Sequence, residues 1–186
     1  MNFLSEKCTF KTFDELEHSK CENFYCDNTD LNDFFNYDCI KWSKELLGKT
    51  YCFTLDDEPK TIACAFTVSN DSIKTNLMDA PLKKLISKPI PWAKRTKSYP
   101  AVLIGRLGVN KNMEGKNIGS ELMNFIKSWF IEKANKTGCR FIVVDAYNTD
   151  GPIAYYKKNG FEFLFPSEED EKKYNQFTKE DALRTR

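Results

Sequence analysis

The chain has 186 residues, of which 41% are hydrophobic and 14% aromatic, so we expect a protein with a proper hydrophobic core and little disorder. Its formal net charge of +1 gives no global electrostatic reason to expect nucleic-acid binding. The absence of a membrane-length apolar run and of signal-peptide features at the N-terminus predicts a cytoplasmic protein without a membrane partner.

The first part of the chain predicts a strand followed by a helix. Residues 8–18 suit an opening strand and turn. Asn28 and Thr29 are both residue types that cap a helix N-terminus, and Gly48 is a typical helix stop. The helix between them carries an imperfect apolar stripe made of Leu31, Phe34, Phe35, Ile40, Trp42 and Leu46.

A hairpin and a polar insert come next. Residues 51–55 and 61–68 predict two strands joined by a polar turn. The insert is expected to hold a short helix over residues 81–86 and then a crossing that contains Pro89 and Pro91.

The most informative segment is a strand followed at once by an amphipathic helix. Residues 101–109 are almost continuously apolar, and the helix predicted over 115–136 carries its apolar residues on one face. Between them, the turn EGKNIG contains Gly115 and Gly119, which have no side chain, and Asn117, which tolerates left-handed backbone. Backbone N–H groups at such a helix N-terminus can bind a negatively charged group such as a pyrophosphate.

A second segment repeats this order further along the chain. Residues 140–146 predict another buried strand, which a Thr-Asp-Gly-Pro turn follows. A short helix then carries Tyr155 and Tyr156, Gly160 stops the helix, and a strand is expected from Phe161. The remaining residues are polar and charged, so we expect a single domain over 1–166 and a loose helix or mobile tail over 167–186.

Seven cysteines do not point to a metal site or a disulfide framework. Their number is odd, their spacings are scattered, no CxxC pair is present, and His18 is the single histidine. We therefore expect no bound metal, and small buried hydrophobic roles for cysteines such as Cys52, Cys64 and Cys139.

Together the two segments resemble the GCN5-related N-acetyltransferase (GNAT) family. In that family the turn reads Arg/Gln-x-x-Gly-x-Gly/Ala, and the later helix ends in Phe-Tyr-x-x-x-Gly-Phe, which 154-AYYKKNGF-161 matches closely. These enzymes transfer an acetyl group from acetyl-CoA to a primary amine, and the resemblance implies the same reaction here, by direct attack and without a metal. It extends over residues 20–165.

The resemblance also implies a fold. GNAT proteins are α/β (α+β) proteins with a mixed, mostly antiparallel twisted sheet and helices on both faces. The order of the predicted elements agrees with this architecture. In the family, the strands corresponding to those that end near Val109 and begin at Arg140 splay apart, and the pantetheine arm of the cofactor enters the gap.

Carried over by position, the resemblance implies a cofactor site and one catalytic residue. Leu107, Gly108 and Val109 would bind the pantetheine arm through the backbone, and Tyr156 would give a proton or a hydrogen bond to the departing CoA thiolate. Tyr155 would face elsewhere and pack. The other implied cofactor-binding residues are Glu114, Gly115, Lys116, Asn117, Ile118, Gly119 and Asn148.

Three positions depart from the family pattern. Glu114 replaces Arg or Gln, so its carboxylate should point away from the pyrophosphate and only its backbone should contribute. Asn117 replaces the middle glycine and reaches the required backbone conformation at some cost. One extra residue separates Asn148 from Tyr156, which makes Asn148 a weaker assignment.

The first half of the chain resembles one subgroup, the acetyltransferase toxins of bacterial toxin–antitoxin pairs, which acetylate the amino group of aminoacyl-tRNA. Cys26, Leu31, Phe34 and the strand sequence GRLGV match that subgroup, whereas Asp27 replaces its glycine. Charged tRNA and an antitoxin are therefore implied partners. A basic run in the insert could contact phosphates, although such a run is also typical of a solvated surface: Lys83, Lys84, Lys88, Lys94, Arg95 and Lys97.

Three functions remain open on the sequence. They are a generic amine acetyltransferase, a toxin that acts on charged tRNA, and a CoA-binding module without catalysis. No general base is evident, which favours an α-amine, of pKa about 7.7–8, over a lysine amine, of pKa about 10.4. Fifteen Phe and three Trp, together with the habit of the resembled family, predict a homodimer.

Overall fold

The computed structural model describes residues 2–88, 90, 97–135, 137–175 and 184–185. The chain divides into two compact units. The first consists of residues 1–69 and 104–136, and the second of residues 70–103 and 137–186. They are called unit 1 and unit 2 below. The Pro89 and Pro91 crossing, and Lys94 and Arg95 of the basic run, lie outside the described residues.

Both units contain helices and strands, and residues of β3 and β4 belong to both. In chain order they are α1 (Phe3–Lys7), β1 (Cys8–Thr12), α2 (Glu15–Lys20), α3 (Thr29–Asp33), a π-helical turn (Phe34–Asp38), α4 (Cys39–Lys44), β2 (Lys49–Leu55), β3 (Ile62–Lys74), α5 (Ala80–Ser87), β4 (Ser98–Val109), α6 (Ile118–Ile131), β5 (Phe141–Val144), β6 (Ala146–Tyr147), α7 (Asp150–Lys158), α8 (Glu168–Asn175) and β7 (Arg184–Thr185).

The main sheet has five strands in the order β1-β2-β3-β4-β5. β1 pairs antiparallel with β2, and β2 pairs antiparallel with β3, with a bulge between Phe53 and Thr54. The predicted hairpin is thereby confirmed. A second, two-stranded sheet joins β6 and β7.

In unit 1, helices cover both faces of the sheet, as predicted. Successive residues of β2 point to opposite faces. Cys52 belongs to the core beneath α3 and α4, whereas the Tyr51 ring lies 4.7 Å from Trp129 and the Phe53 ring 4.9 Å from Phe125, both on α6. Aromatic pairs of this kind contribute roughly 0.5–1.5 kcal/mol each beyond their area.

The helical region of unit 1 begins at the predicted cap, where the Asn28 side chain accepts a hydrogen bond from the Leu31 N–H. Two asparagines one helical turn apart then hold the segment that precedes it. The Asn32 amide brackets the backbone of Cys26, and the Asn36 amide brackets that of Phe24, each with two hydrogen bonds of 2.7–2.9 Å. The Phe24 ring is consequently fixed in the core.

Unit 2 has a smaller core, in which Ile73, Ala101 and Val143 are buried. The predicted polar tail contains helix α8, and its Tyr174 hydroxyl accepts a hydrogen bond of 2.8 Å from the Lys74 N–H. No helix among the described residues is long and apolar enough to cross a membrane.

The helix predicted between Asn28 and Gly48 is observed as α3, the π-helical turn and α4, and it ends at Lys44. Three other predicted elements differ from those observed. The helix predicted over 115–136 begins at Ile118 and ends at Ile131, because Glu132 turns to extended backbone with ψ 141°. The strand predicted over 140–146 is interrupted at Asp145, which is exposed between the buried Val144 and Ala146.

The third difference concerns the strand expected from Phe161, which does not form at residues 161–163. The Phe161 N–H donates to the Tyr156 carbonyl and the Gly160 N–H to the Lys157 carbonyl, each at 3.0 Å. Gly160 has φ 77°, so these bonds make a Schellman motif at the end of α7. The predicted stop is confirmed, and the helix end uses the N–H group that a strand at Phe161 would need.

Candidate active site

The turn after β4 is anchored by Asn110, which is buried in unit 1. Its N–H donates to the Ala63 carbonyl and its side-chain amide donates to the Ile62 carbonyl, both at 2.9 Å. Its side-chain oxygen accepts from the Asn112 N–H at 3.0 Å. These bonds fix the point at which the chain leaves the sheet and set the start of the following turn.

The turn itself has the backbone that the sequence predicts. Gly115 has φ 78°, in the left-handed region, and open space around it. Asn117 has φ 59° and ψ 17° and is the N-cap of α6. Its carbonyl accepts from the N–H groups of Ser120 and Glu121, while its side chain makes no capping bond to the described part of the chain. A helix start without a side-chain cap leaves N–H groups for an anionic ligand.

Glu114, the unfavourable residue of the turn, is held by a lysine. Its carboxylate lies 3.6 Å from the Lys111 ammonium, which also pairs with Asp27. The hydrogen bond to Asp27 raises the pKa of Lys111, so the ammonium keeps its proton. A neighbouring cation offsets the charge that Glu114 brings to the turn. Lys116, two residues after Glu114, has its ammonium 5.1 Å from the centre of the Phe3 ring.

The end of β4 supplies the three residues predicted to bind pantetheine. Leu107 and Val109 are half-buried, and Gly108 is buried. A Cβ atom at Gly108 would lie 3.0 Å from two carbon atoms of the Phe24 ring, so this glycine lets the ring approach the strand. At Gly105 a Cβ atom would meet nothing within 4 Å.

Arg106, on the same strand, forms an ion pair with Asp30. Its Nε atom lies 3.7 Å from an Asp30 carboxylate oxygen, and the guanidinium lies 4.9 Å from the centre of the Phe34 ring. Nε is buried and makes no hydrogen bond to the described residues.

In unit 2, the two remaining predicted site residues lie on and before α7. Asn148 is exposed, and its side-chain amide donates to a Glu168 carboxylate oxygen at 2.8 Å. Tyr156 lies in the second half of α7, with its ring 5.1 Å from Tyr155 and 5.4 Å from Phe161. The Schellman motif, which uses the Tyr156 carbonyl, fixes this part of the helix.

Tyr156 lines an apolar cavity of about 250 Å³ within unit 2. Burial raises the pKa of Tyr156 from its ordinary value to about 12. The phenol therefore stays protonated throughout the physiological pH range, and it is a hydrogen-bond donor. The cavity is built by β3, α5, β5, β6, α7 and the segment that follows α7: Ile73, Leu82, Leu85, Ile86, Phe141, Ile142, Val143, Val144, Ala146, Ile153, Lys157, Phe161, Glu162, Phe163 and Leu164.

Other reactive side chains do not form a competing site. The described residues contain no group of three or more His, Cys, Asp and Glu able to hold a metal ion. Burial raises the pKa of the thiols, to about 11 for Cys8 and about 12 for Cys39, which makes them poor nucleophiles at neutral pH. His18 is half-buried, and its Nε2 lies 3.0 Å from the Asn36 carbonyl oxygen.

The predicted site residues from Leu107 to Gly119 thus share one strand–turn–helix in unit 1, and Asn148 and Tyr156 share unit 2. Sequence reasoning missed the cavity beside Tyr156. A local signal was present, because Leu82, Leu85 and Ile86 have the spacing of one helix face.

The class of protein follows from the fold, the turn and the sequence together. Residues 86–163, which include the turn and Tyr156, match the sequence model of the acetyltransferase (GNAT) domain. This part of the chain therefore matches the acetyltransferase domain of the GNAT family, whose members use acetyl-CoA. The predicted family, fold class and type of reaction are confirmed at this level. None of the curated proteins matches the sequence.

Solved structures of the same fold include bacterial toxins. The chain is 18% identical to AtaT complexed with acetyl-methionyl-tRNAfMet, over 88% of this chain and 91% of that one, with a TM-score of 0.65. It is 17% identical to a tyrosine-to-phenylalanine mutant of KacT, over 84% and 87%, with a TM-score of 0.63. It is 16% identical to AtaTR bound with AcCoA, over 93% of this chain and 99% of that one, with a TM-score of 0.60.

Proposed function

We propose that this acetyltransferase acts on the α-amino group of aminoacyl-tRNA, as the toxin of a toxin–antitoxin pair. The observation that carries this proposal is that the acetyltransferase match includes both the left-handed turn at Gly115 and Asn117 and the half-buried phenol of Tyr156. Two similar folds support the choice of acceptor and partner, namely AtaT with acetyl-methionyl-tRNAfMet and a KacTA–DNA complex.

In this proposal the turn binds the pyrophosphate of acetyl-CoA. The uncapped start of α6 supplies N–H donors and the positive end of the helix dipole. Leu107, Gly108 and Val109 bind pantetheine through their backbone. The turn residues Glu114, Gly115, Lys116, Asn117, Ile118 and Gly119 surround the phosphates, and Asn148 contributes a polar contact if it leaves Glu168.

Tyr156 is the proposed acid. The neutral amine attacks the acetyl carbonyl carbon, a C–N bond forms, and the C–S bond breaks as the CoA thiolate leaves. Tyr156 donates a hydrogen bond or its proton to the sulfur as negative charge develops there. Its raised pKa keeps the donor intact, and the nitrogen loses its extra proton to water.

The absence of a histidine or carboxylate assigned as general base suits an α-amine. An amine of pKa about 7.7–8 is partly neutral at physiological pH, so it needs little help from the enzyme. The acidic groups near the turn, Glu114 and Asp27, are both paired with Lys111.

The proposed partners follow from the same function. Exposed lysines of the insert, Lys83, Lys84, Lys88 and Lys97, would contact tRNA phosphates. An antitoxin would hold the protein inactive, and a homodimer would form through exposed apolar residues. We place the protein in the cytoplasm, where acetyl-CoA and charged tRNA are found together.

Transfer of labelled acetyl groups to three acceptors side by side tests this function. The expected result is rapid acetylation of charged tRNA, slow acetylation of free amino acids and none of polyamines. Acetylation of polyamines or free amino acids alone would make the protein a generic amine acetyltransferase. Binding of acetyl-CoA without turnover on any acceptor would make it a CoA-binding module.

A further inference from the structure

The cavity beside Tyr156 is large and apolar. Its charged lining residues are Lys157 and Glu162, and the Lys157 ammonium lies 4.8 Å from the centre of the Phe163 ring. Leu85 and Phe163, which also line it, are 68% and 50% exposed. Large apolar side chains that are this exposed at a concave site indicate a ligand-binding surface.

The volume exceeds what acetyl transfer requires. A cavity of about 150 Å³ lined by apolar side chains already holds a benzene ring. The cavity of about 250 Å³ in unit 2 can therefore take a branched or aromatic side chain in addition to the methyl group of an acetyl.

Helix α5 carries the second observation. Its residues Leu82, Leu85 and Ile86 line the cavity, whereas Lys83 and Lys84 on the helix and Lys88 at its C-cap are exposed to solvent. No acidic residue interrupts the chain from Ala80 to Lys88. One short helix thus borders an apolar cavity and presents three positive charges.

We propose that the cavity receives the apolar side chain of the aminoacyl group, so that the preferred acceptors are tRNAs charged with leucine, isoleucine, methionine or phenylalanine. The lysines of α5 contact phosphates of the same tRNA. This assignment rests on the function proposed above and adds to it a side-chain specificity.

The alternative occupant is the acyl chain of a longer acyl-CoA. An acyl chain would fill the cavity equally well, but it would give the lysines of α5 no ligand, because the CoA pyrophosphate is assigned to the turn at Gly115. A ligand with both an apolar group and its own phosphates explains both faces of the helix. Aminoacyl-tRNA is such a ligand.

Acetylation rates over a panel of charged tRNAs test the specificity. With acetyl-CoA fixed, we expect kcat/KM for leucyl-, methionyl- and phenylalanyl-tRNA to exceed that for glycyl- and aspartyl-tRNA by at least about tenfold. Equal rates on all charged tRNAs would overturn the inference and leave the proposed function standing. Acetylation of other amines but of no charged tRNA would overturn both.

Two variants test whether the preference for apolar aminoacyl groups depends on the cavity. Val144→Phe narrows it, so leucyl-tRNA should lose about tenfold or more in kcat/KM while glycyl-tRNA loses less. Leu85→Ser removes an exposed wall and should lower the preference for leucyl- over glycyl-tRNA without affecting folding. Leu16→Ser, at a leucine of α2 that is 65% exposed, is the matched control and should keep the parent preference.

If both cavity variants kept the parent preference, the aminoacyl side chain would not bind in the cavity. If hexanoyl-CoA replaced acetyl-CoA without loss and Val144→Phe abolished only that activity, the acyl chain would occupy the cavity. The double variant K83E/K84E tests separately whether the lysines of α5 contact tRNA phosphates. It should raise KM for leucyl-tRNA and leave KM for leucine methyl ester unchanged. Equal effects on both acceptors, or none on either, would remove the phosphate contact from the proposal.

Discussion

At the scale of single residues, the proposed chemistry depends most on the hydroxyl group of Tyr156. Tyr156→Phe keeps the ring and its contact with Phe161 and deletes the donor. We expect turnover to fall by about 10²–10⁴-fold, because a positioned acid contributes that much. Acetyl-CoA affinity, measured by calorimetry, should change little, since the hydroxyl acts mainly as charge develops on sulfur.

Tyr155→Phe, on the same helix, is the control and should keep most of the activity.

The pH dependence of stability gives an independent test of the Tyr156 environment. The folded protein holds the Tyr156 proton until about pH 12, whereas the unfolded chain releases it near pH 10. The stabilising contribution is complete below about pH 10 and is lost toward about pH 12, so the parent should lose Tm relative to Tyr156→Phe above about pH 10. Parallel melting curves, or equal turnover of the two variants, would contradict the assignment.

Gly108 tests whether a glycine in the predicted site has a packing role. Gly108→Ala places a methyl group 3.0 Å from the Phe24 ring, so we expect a loss of about 1–3 kcal/mol in the free energy of unfolding. Gly105→Ala, three residues earlier on the same strand with open space around it, should stay within about 0.5 kcal/mol of the parent. Chemical denaturation measures both, and an equal loss for the two variants would refute the packing explanation.

At the scale of elements, local chemistry determined what could be predicted. The turn at Gly115 and Asn117 and the stop at Gly160 were predictable, because only a few residue types adopt left-handed backbone. The π-helical turn at Phe34–Asp38 could not be predicted, because the apolar spacing of the sequence does not distinguish it from an α-helix. Likewise, the absence of a strand at Phe161 depends on the bonds that end α7.

The strand–turn–helix at the end of β4 makes a prediction about the cofactor. Gly119, the second residue of α6, is half-buried where the pyrophosphate is proposed to approach the backbone. Gly119→Leu should block that approach and lower acetyl-CoA affinity in calorimetry, while the favourable helix propensity of leucine preserves α6. Gly138→Leu, at an exposed glycine with open space around it, is the control. If a folded Gly119→Leu protein bound acetyl-CoA with unchanged affinity, the turn would not be part of the cofactor site.

At the scale of the whole molecule, the class of protein was predictable and the substrate was not. The family patterns occupy short stretches that can be compared residue by residue. The cavity of unit 2 is lined by four separate stretches of chain, from β3, α5, β5 and the α7 region. A side-chain pocket assembled across such distances in sequence leaves no single motif, so its size and its apolar character became visible only in the structure.

Self-association is the remaining property of the whole molecule that the structure helps to test. Exposed apolar side chains concentrate in one stretch of unit 1, where Tyr37, Trp42, Leu46 and Leu47 are 62%, 42%, 88% and 51% exposed. Leu46 also has φ 58°, a backbone conformation that costs a residue with a Cβ atom roughly 1–2 kcal/mol. An exposed leucine kept in a strained conformation favours a role in binding a second copy.

Sedimentation velocity should therefore show a dimer of the parent at micromolar concentration. Leu46→Gly relieves the backbone strain and removes the apolar side chain, so its Tm should be equal to or higher than that of the parent while its dimer dissociates more readily. Leu16→Ser, at a leucine of similar exposure on α2, should dimerise like the parent. A monomeric parent would exclude the homodimer, and a Leu46→Gly protein that associates as tightly as the parent would place the interface elsewhere.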